Sequence, residues 1–239
     1  MMRAVPGPRG YQPFCPLGAA LNAVGDRWAL LIVRDLMLGP RKFSELAAGL
    51  GGIGTDILTA RLRQLEDVGV VRRGGQGRTA HYELTSSGRH LQPALLELAR
   101  WGAARLQLPD DPARVPARVI LTALLLDAPP LPETVTGRFE LHADGERAVF
   151  EVADGAITLD TAGPPDATII LDSGGVRALA IGASPAQLET ASQMSIEGDK
   201  KMARSLLSAI SGPQLFQAFR QLGTTSAVGP LPRSADGLR

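Results

Sequence analysis

The chain has 239 residues, of which 44% are hydrophobic, enough for one large domain or two ordinary domains. No apolar run is long enough to cross a bilayer, and residues 1–14 lack the apolar segment of a signal peptide. We therefore expect a cytoplasmic protein without membrane insertion. The single cysteine, Cys15, excludes an internal disulfide and a zinc site built on several thiolates, and we expect neither a metal nor a cofactor.

The net charge of +1 is unevenly distributed along the chain. Residues 1–107 carry 14 Lys and Arg against 8 Asp and Glu, a net charge of +6, whereas residues 108–239 carry 11 against 16, a net charge of −5. A basic half joined to an acidic half favours contact of the first half with an anionic polymer, although solvated surfaces also produce such differences.

The first half begins with two helical patterns. Residues 16–39 have apolar side chains at helical spacing and end at the helix-breaking pair Gly39-Pro40, which predicts one continuous helix. Residues 43–50, FSELAAGL, place apolar side chains at i, i+3, i+4 and i+7, which predicts a second helix with Ser44 as its N-cap.

Three glycines after this second helix fit the dinucleotide pattern G-x-G-x-x-G, namely Gly49, Gly51 and Gly54. A dinucleotide loop follows a strand and has an acidic residue about 20 positions further on for the ribose. Here a helix precedes the glycines, and residues 70–73 of that neighbourhood are Val-Val-Arg-Arg. The context therefore favours a turn between two helices over a nucleotide site.

The next helix has the pattern of a DNA-recognition helix. It covers DILTARLRQLEDV, with Thr55 as the predicted N-cap and Gly69 as the residue that ends it. Its apolar face consists of Leu58, Leu62 and Leu65, and its outer face of Asp56, Thr59, Ala60 and Arg63. A small, polar outer face suits a helix that approaches base edges in the major groove, although a solvated face looks similar in an isolated helix.

A basic hairpin follows this helix. Residues 70–71 and 79–84 are predicted strands, and the tip GGQG lies between them. Arginines flank the tip at Arg72, Arg73 and Arg78, where they can contact phosphates. Helix, turn, helix and basic hairpin in this order predict a winged helix.

Residues 14–106 resemble the HxlR-type winged-helix transcriptional regulators, relatives of the MarR group. The resemblance rests on Cys15-Pro16, GDRWALLIVRDL, GPRKFSEL, ILTARLRQLEDVGVV and HYELTSSGRHL, followed by Trp101-Gly102. It implies a homodimer that uses the N-terminal segment and residues 91–106 for its contacts, with a recognition helix at 56–68. The partner is then double-stranded DNA with a pseudo-palindromic operator.

The predicted DNA-binding residues are Arg41, Lys42, Thr55, Asp56, Thr59, Ala60, Arg61, Arg63 and Arg78. Arg61 lies at the edge of the apolar face, so an intramolecular salt bridge and a phosphate contact are both open. Arg41 and Lys42 precede the second helix and suit phosphate contacts, with a free surface pair as the alternative. Cys15 matches the position of a redox-sensing thiol in some family members, and is otherwise an inert packing residue.

The second half predicts an α+β domain. An apolar helix, ARVILTALLLDA, precedes four alternating segments at 139–143, 148–152, 156–160 and 167–171, which predict a meandering sheet. Helical stretches follow around 174–182, 185–191, 199–211 and 213–221, with a short strand MSIEG between the second and third.

Residues 130–220 resemble the sterol carrier protein 2 family, on PDATIIL and MSIEGDKKMARSLL. The resemblance implies a cavity between sheet and helices for a hydrophobic small molecule or lipid. The corresponding ligand-binding residues are Leu179, Leu188, Met194, Met202, Leu206, Ile210, Phe216 and Phe219. The alternative is that this apolar stripe closes a core.

These patterns predict an α+β chain with four parts: a winged helix-turn-helix domain at 1–107, a linker at 108–116, a sterol carrier protein 2-like domain at 117–222 and a flexible tail at 223–239. We interpret it as a dimeric regulator whose C-terminal domain binds a hydrophobic effector that modulates operator binding. A lipid or hydrophobic-ligand carrier in which the winged helix serves dimerisation is the alternative. No catalytic set can be assembled from three scattered histidines, so we expect no enzyme.

Overall fold

The computed structural model describes residues 14–103, 105, 115–159 and 163–212. Two hydrophobic cores organise this part of the chain. One is built from residues between 24 and 84, and the other from residues between 117 and 210 together with Leu38. Because Leu38 belongs to the first half by sequence but to the second core by packing, the two units adjoin. No helix in the described residues is both long and apolar enough to cross a membrane.

The first helical pattern forms two helices, α1 (Pro16–Val24) and α2 (Ala29–Leu36), so the expectation of one continuous helix is wrong. Gly25 ends α1, and its N–H donates to Leu21 O at 2.8 Å. Asp26 lies between the two helices and forms an ion pair with Arg61. The apolar spacing continues across this break because both helices bury side chains in the same core.

Helix α3 spans Phe43–Gly49, and the prediction of Ser44 as its N-cap is wrong. The N-cap is Lys42, whose backbone is extended and whose N–H donates to the Glu45 carboxylate at 2.9 Å. Glu45 therefore satisfies the start of the helix by reaching back from its first turn, which leaves Ser44 inside the helix and exposed.

Helix α4 spans Thr55–Asp67, and the predicted cap at Thr55 is wrong by one residue. Gly54 takes the extended N-cap conformation, and its carbonyl accepts from Leu58 N–H at 2.9 Å. At the other end the prediction is confirmed. Gly69 has φ of +71°, and its N–H donates to Glu66 O at 3.0 Å, a helix end that favours glycine.

Strands β1 (Val71–Gly74) and β2 (His81–Leu84) form the predicted antiparallel hairpin, with Val71 opposite Leu84. Residues 77–79 form a short 3₁₀ turn, so the second strand starts two residues later than expected. Arg41 pairs with Tyr82 through two backbone hydrogen bonds of 2.7 and 2.9 Å. The segment before α3 is thereby fixed to the hairpin. Helices α5 (Ser86–Arg89) and α6 (Gln92–Ala103) follow.

The second unit begins with helix α7 (Ala117–Leu126), as predicted. Its five strands are β3 (Gly137–Ala143), β4 (Glu146–Ala153), β5 (Ala156–Leu159), β6 (Ala167–Leu171) and β7 (Met194–Gly198). They form one sheet in the order β5-β4-β3-β6-β7.

The prediction of a meander is wrong at β6. Strands β3, β4 and β5 are antiparallel neighbours, but β6 pairs parallel with β3 on the other side, with Leu141 opposite Ile169. Asp166 fixes this arrangement, because its carboxylate accepts from Arg138 N–H at 2.8 Å and its own N–H donates to Arg138 O at 2.8 Å. The alternation of apolar residues is the same for either edge of a sheet and therefore does not specify strand order.

Helices α8 (Ser173–Ala180), α9 (Pro185–Thr190) and α10 (Lys200–Ile210) complete the described part of this unit, close to the predicted ranges. The predicted helix at 213–221 and the predicted tail at 223–239 lie outside the described residues. Between them, α7, α8 and α10 bury apolar side chains against the sheet in the second core. The described fold is therefore α+β, as expected.

Candidate nucleic-acid interface and ligand domain

Helix α4 divides into a buried face and an exposed face along the predicted line. Leu58, Leu62 and Leu65 are buried. On the outer face Thr55, Asp56, Ala60 and Arg63 are exposed, and Thr59 is half-buried. The Thr59 hydroxyl donates to Thr55 O at 2.8 Å, which occupies its hydrogen but leaves its lone pairs free to accept. The outer face thus offers small polar groups and one guanidinium to solvent.

Ile57 is a residue of this face that the sequence-based prediction missed. It is 47% exposed, whereas the three leucines of the same helix are fully buried. Its position between Asp56 and Leu58 places it away from the i, i+4, i+7 leucine stripe, and this offset was the signal that could have identified it. An exposed β-branched apolar side chain on such a face can contact a thymine methyl group.

The hairpin carries three arginines in two different situations. Arg72 forms an ion pair with Glu83 across the two strands at 2.8 Å. Arg73 and Arg78 are exposed beside the glycine-rich tip. Gly75 has φ of +64°, and a Cβ there would lie 2.2 Å from Thr79 O, so this turn requires glycine. The hairpin therefore exposes one cation on each side of its tip.

The two cations before α3 differ from each other. Lys42 is exposed, as a phosphate contact would require. The Arg41 side chain is only 11% exposed and forms an ion pair with Glu146, the first residue of β4. Arg41 is therefore not a free surface cation in this structure, and its partner belongs to the second unit.

Arg61 forms an ion pair with Asp26 and donates to the Gln64 side chain at 2.5 Å. The sequence left open whether Arg61 forms an intramolecular salt bridge or contacts a phosphate, and the structure contains the salt bridge. The pair ties the segment between α1 and α2 to the middle of α4, which orients the outer face of α4 relative to the rest of the domain.

A buried charge network joins the two units, and its centre is Arg118 of α7. The guanidinium lies 2.5 Å from Asp35 of α2 and 2.6 Å from Glu146, and Arg41 contacts the same Glu146 carboxylate. Arg34 contacts Asp35 at 2.7 Å. Asp35 is fully buried, and the Arg118 side chain is 7% exposed. Charges this deeply buried require partners, and each of these has at least one.

The network favours the ionised forms of Glu146 and Arg118. Burial raises the pKa of Glu146, but hydrogen bonds from Arg118 and Arg41 outweigh it and hold that pKa below its usual value. Burial lowers the pKa of Arg118, and the carboxylates of Glu146 and Asp35 more than reverse this effect. Both shifts favour the ion pair between Glu146 and Arg118.

Sequence-based prediction missed Asp35, Arg118 and Glu146. For Asp35 and Arg118 the available signal was a charged side chain inside a strongly apolar helix. Asp35 lies in ALLIVRDL and Arg118 in ARVILTALLL. A buried charge of this kind indicates a partner elsewhere in the chain but does not identify it.

The predicted ligand-binding residues of the second unit lie in its core. Leu179, Leu188, Met194, Leu206 and Ile210 are buried, and Met202 packs against them half-buried. Phe216 and Phe219 lie outside the described residues.

A cavity of about 270 Å³ opens beside this core, between the end of α8 and the end of α10. Its lining is formed by Ala180, Ile181, Gly182, Ser184, Ser208, Ser211 and Gly212. The Ser211 hydroxyl donates to Leu179 O at 3.2 Å, and Gly212 N–H donates to the same carbonyl at 3.0 Å. Two of the predicted ligand-binding positions, Leu179 and Ile210, precede lining residues directly in sequence, but neither lines the cavity itself.

Cys15 is exposed and has a free thiol. It occupies the N-cap position of α1, where its Sγ accepts from Gly18 N–H at 3.4 Å. The redox and packing hypotheses for this residue both stay open. Within the described ranges, no group of three or more His, Cys, Asp or Glu side chains could hold a metal ion.

The fold and the two sites define a winged-helix domain joined to an α+β domain. Residues 23–109 match the HxlR-like helix-turn-helix family, and residues 122–211 match the SCP-2 sterol transfer family. The chain belongs to the HxlR-like helix-turn-helix transcriptional regulators and carries an SCP-2 domain after the winged helix.

Relatives match the winged-helix part of the chain. The uncharacterized HTH-type regulator Rv3095 of Mycobacterium tuberculosis is 40% identical over 99 residues, 40% of this chain and 62% of that protein. The uncharacterized HTH-type regulator YvaP of Bacillus subtilis is 37% identical over 91 residues, 36% of this chain and 84% of that protein. The reduced form of the transcriptional regulator YodB from B. subtilis is 32% identical, with a TM-score of 0.35 and coverage of 41% of this chain and 99% of that chain.

Proposed function

We propose that this protein is a homodimeric, cytoplasmic, non-enzymatic regulator that binds a pseudo-palindromic operator and responds to a hydrophobic small molecule or lipid. The observation that carries the DNA part is the outer face of α4, which exposes Thr55, Asp56, Ala60 and Arg63 beside a hairpin with two exposed arginines. In this proposal α4 enters the major groove, and the hairpin lies along the phosphate backbone.

In this proposal some of the exposed groups contact base edges and the others contact phosphates. Arg63 is long enough to donate two hydrogen bonds to a guanine, and Ile57 suits a thymine methyl group. Lys42, Arg73 and Arg78 neutralise phosphates, which positions the protein without reading sequence. Such contacts make the affinity fall steeply with salt concentration.

Exposed apolar side chains on three helices support the dimer. They are Phe14, Leu17, Leu21, Leu31, Leu98 and Trp101. Phe14 is 93% exposed and Trp101 is 60% exposed, which is unfavourable for a monomer in water. These residues belong to α1, α2 and α6 or precede them directly, so a second copy of the same surface would cover them in a two-fold arrangement.

The dimer is tested by native mass spectrometry of the purified chain. Leu98→Glu should shift the mass from dimer to monomer, because it buries an unpaired charge in the proposed interface. Ile181→Glu is the matched control, since Ile181 is 61% exposed and lies in the second unit. A wild-type protein that remains monomeric at micromolar concentration would contradict the proposed dimer.

The DNA proposal is tested by selecting bound duplexes from a random pool at low salt. We expect enrichment of a pseudo-palindrome with half-sites about one helical turn apart, because a two-fold dimer presents two copies of α4. Absence of any bound duplex at low salt would contradict the proposal.

The effector part rests on the SCP-2 match and on the cavity beside Leu179 and Ile210. In this proposal the effector occupies the space between the ends of α8 and α10, with its apolar part toward the core and its polar part toward Ser184 and Ser208. It alters DNA binding only if it binds one arrangement of the two units better than another.

A further inference from the structure

The ion pair between Arg41 and Glu146 connects a cation of the winged helix to an acidic hairpin of the second unit. Arg41 lies one residue before the N-cap of α3, the first helix of the helix-turn-helix, and its backbone is fixed to β2. The element that crosses the DNA backbone in such a motif is this first helix. Arg41 is therefore placed where a phosphate contact is expected, yet its guanidinium is held by a carboxylate of the same chain.

We propose that Glu146 acts as an internal phosphate mimic, so that DNA backbone and the β3–β4 hairpin compete for the Arg41 guanidinium. The inference rests on the DNA binding proposed above and adds a mechanism by which the second unit affects it. While Arg41 is paired with Glu146, the winged helix lacks one phosphate contact.

The geometry allows Arg41 to exchange Glu146 for a phosphate without leaving a buried charge unpaired. Glu146 uses Oε2 for Arg41 and Oε1 for Arg118, the latter at 2.6 Å. When Arg41 leaves, Glu146 therefore keeps a guanidinium partner and does not become an unpaired buried charge. Arg41 in turn gains a phosphate, which its guanidinium can bind through two parallel hydrogen bonds.

The two halves of the network also differ in burial. The Arg41 and Glu146 side chains are 11% and 15% exposed, so this pair reaches solvent. The pair between Arg118 and Asp35 is less accessible, with Asp35 fully buried. The outer pair can therefore open while the inner pair keeps the two units in contact.

The hairpin that carries Glu146 has a tight acidic turn. Its tip, Asp144-Gly145, has φ of +50° and +75°, the conformation of a tight two-residue hairpin turn. Asp144 and Glu146 both line the cleft between the units opposite Arg41.

A double-mutant cycle tests the competition, with fluorescence anisotropy of a short labelled duplex of arbitrary sequence at low salt. Phosphate contacts act on all sequences alike, so the operator is not needed. Glu146→Gln should tighten binding about five-fold or more, because an amide holds Arg41 more weakly than a carboxylate. In an Arg41→Ala background the same substitution should change the dissociation constant no more than removal of one negative charge from the same turn does.

Asp144→Asn is the matched control for charge. It removes one negative charge from the same turn, and asparagine tolerates the left-handed backbone of residue 144. Its effect should be smaller than that of Glu146→Gln and independent of Arg41. If urea unfolding shows that Glu146→Gln is unfolded, Glu146→Asp replaces it, because the shorter side chain withdraws the carboxylate from Arg41.

The outcomes separate the two proposals. Equal tightening by Glu146→Gln with and without Arg41, or no tightening at all, overturns the competition while DNA binding stands. Failure of every variant and of the wild type to bind DNA at low salt overturns both. Binding by Glu146→Gln but not by the wild type supports both.

Discussion

Arg118 and Asp35 are 83 residues apart in sequence, and their side chains meet in an ion pair of 2.5 Å between α7 and α2. The Arg118 guanidinium also lies against Gly49, at the end of α3, where a Cβ would come within 1.9 Å of Nη1. One side chain of the SCP-2 unit therefore contacts two helices of the winged helix. A change in the position of α7 must be transmitted to α2 and α3 or break this pair.

Asp35→Asn should destabilise the protein by about 3 kcal/mol, because it leaves buried Arg118 with one carboxylate instead of two. Urea unfolding followed by circular dichroism measures the change. Asp26→Asn is the matched control, since the Asp26 side chain is 42% exposed in its pair with Arg61. We expect less than about 1 kcal/mol for this exposed pair. Equal effects of the two substitutions would contradict a special role of the buried pair.

Gly49→Ala should displace the Arg118 guanidinium and cost about 1–3 kcal/mol of unfolding free energy, the usual range for overpacking. Gly102→Ala in α6 provides the comparison, because a Cβ at residue 102 meets no atom within 4 Å. Alanine favours a helix over glycine by up to about 1 kcal/mol, so Gly102→Ala should be neutral or stabilising. If Gly49→Ala is also stabilising, Arg118 does not need the space at Gly49.

The sequence predicted those features that depend on neighbours along the chain. The leucine stripe of α4, the left-handed Gly69 and the glycine-rich hairpin tip are encoded within a few residues, and all are present. The predicted N-caps Ser44 and Thr55 were wrong by two residues and by one residue. These errors arose because Lys42 and Gly54 take the N-cap conformation although neither has a side chain that caps well.

Features that depend on distant partners were not predictable in this way. The parallel pairing of β6 with β3 leaves the apolar alternation unchanged, so no local pattern records it. The partner of Arg41 was not predictable either, because the sequence around Arg41 is typical of a surface cation. Its actual partner, Glu146, lies 105 residues further on, in a different unit.

Arg63 and Lys42 should affect DNA binding in different ways. Arg63→Ala should change base preference at one position of each half-site by about 1–3 kcal/mol, because the side chain is exposed on the outer face of α4. Lys42→Ala should weaken binding to all sequences and reduce the slope of log affinity against log salt by about 1. Anisotropy titrations over a series of salt concentrations distinguish the two. A change of base preference by Lys42→Ala would argue against this assignment.

Glu140 should contribute stability that is lost only in strong acid. Arg147 donates two hydrogen bonds to its carboxylate at 2.6 and 2.9 Å, which lowers the pKa of Glu140 from 4.5 to about 2 despite partial burial. Because the folded-state pKa is the lower one, the contribution is complete above about pH 4.5 and disappears as the pH falls toward about 2. The size of the effect is reduced by solvent, since the Arg147 side chain is 59% exposed.

Thermal unfolding of wild type and Glu140→Gln between about pH 3 and pH 7 measures this contribution. The difference in melting temperature should be constant near neutral pH and shrink below about pH 4.5. Glu151→Gln removes a carboxylate whose nearest Arg138 nitrogen is 3.7 Å away, and it should change the melting temperature less. A wild-type advantage over Glu140→Gln that persists unchanged to pH 3 would contradict the proposed linkage.

The effector hypothesis is tested by two tryptophan substitutions on α10 that differ in burial. Ser208 is exposed and lines the cavity beside the core, so Ser208→Trp should fill that cavity at little cost in stability. Leu206 is fully buried, so Leu206→Trp should overpack the core and cost about 1–3 kcal/mol or more. Uptake of a fluorescent fatty acid by the full-length protein should be abolished by Ser208→Trp. Uptake with wild-type affinity in that variant would place the ligand elsewhere.

Coupling between the units is the stricter test, because binding free energies are reciprocal. If the fatty acid is an effector, saturating amounts should change the dissociation constant for DNA by a factor that corresponds to about 1–3 kcal/mol, and DNA should change the affinity for the fatty acid by the same factor. Ser208→Trp should remove both effects and leave DNA binding without the fatty acid intact, since Ser208 lies on the helix α10 of the SCP-2 unit. Tight uptake of the fatty acid that leaves the DNA titration unchanged would mean that it binds both arrangements of the units equally, and the effector hypothesis would be withdrawn for this ligand.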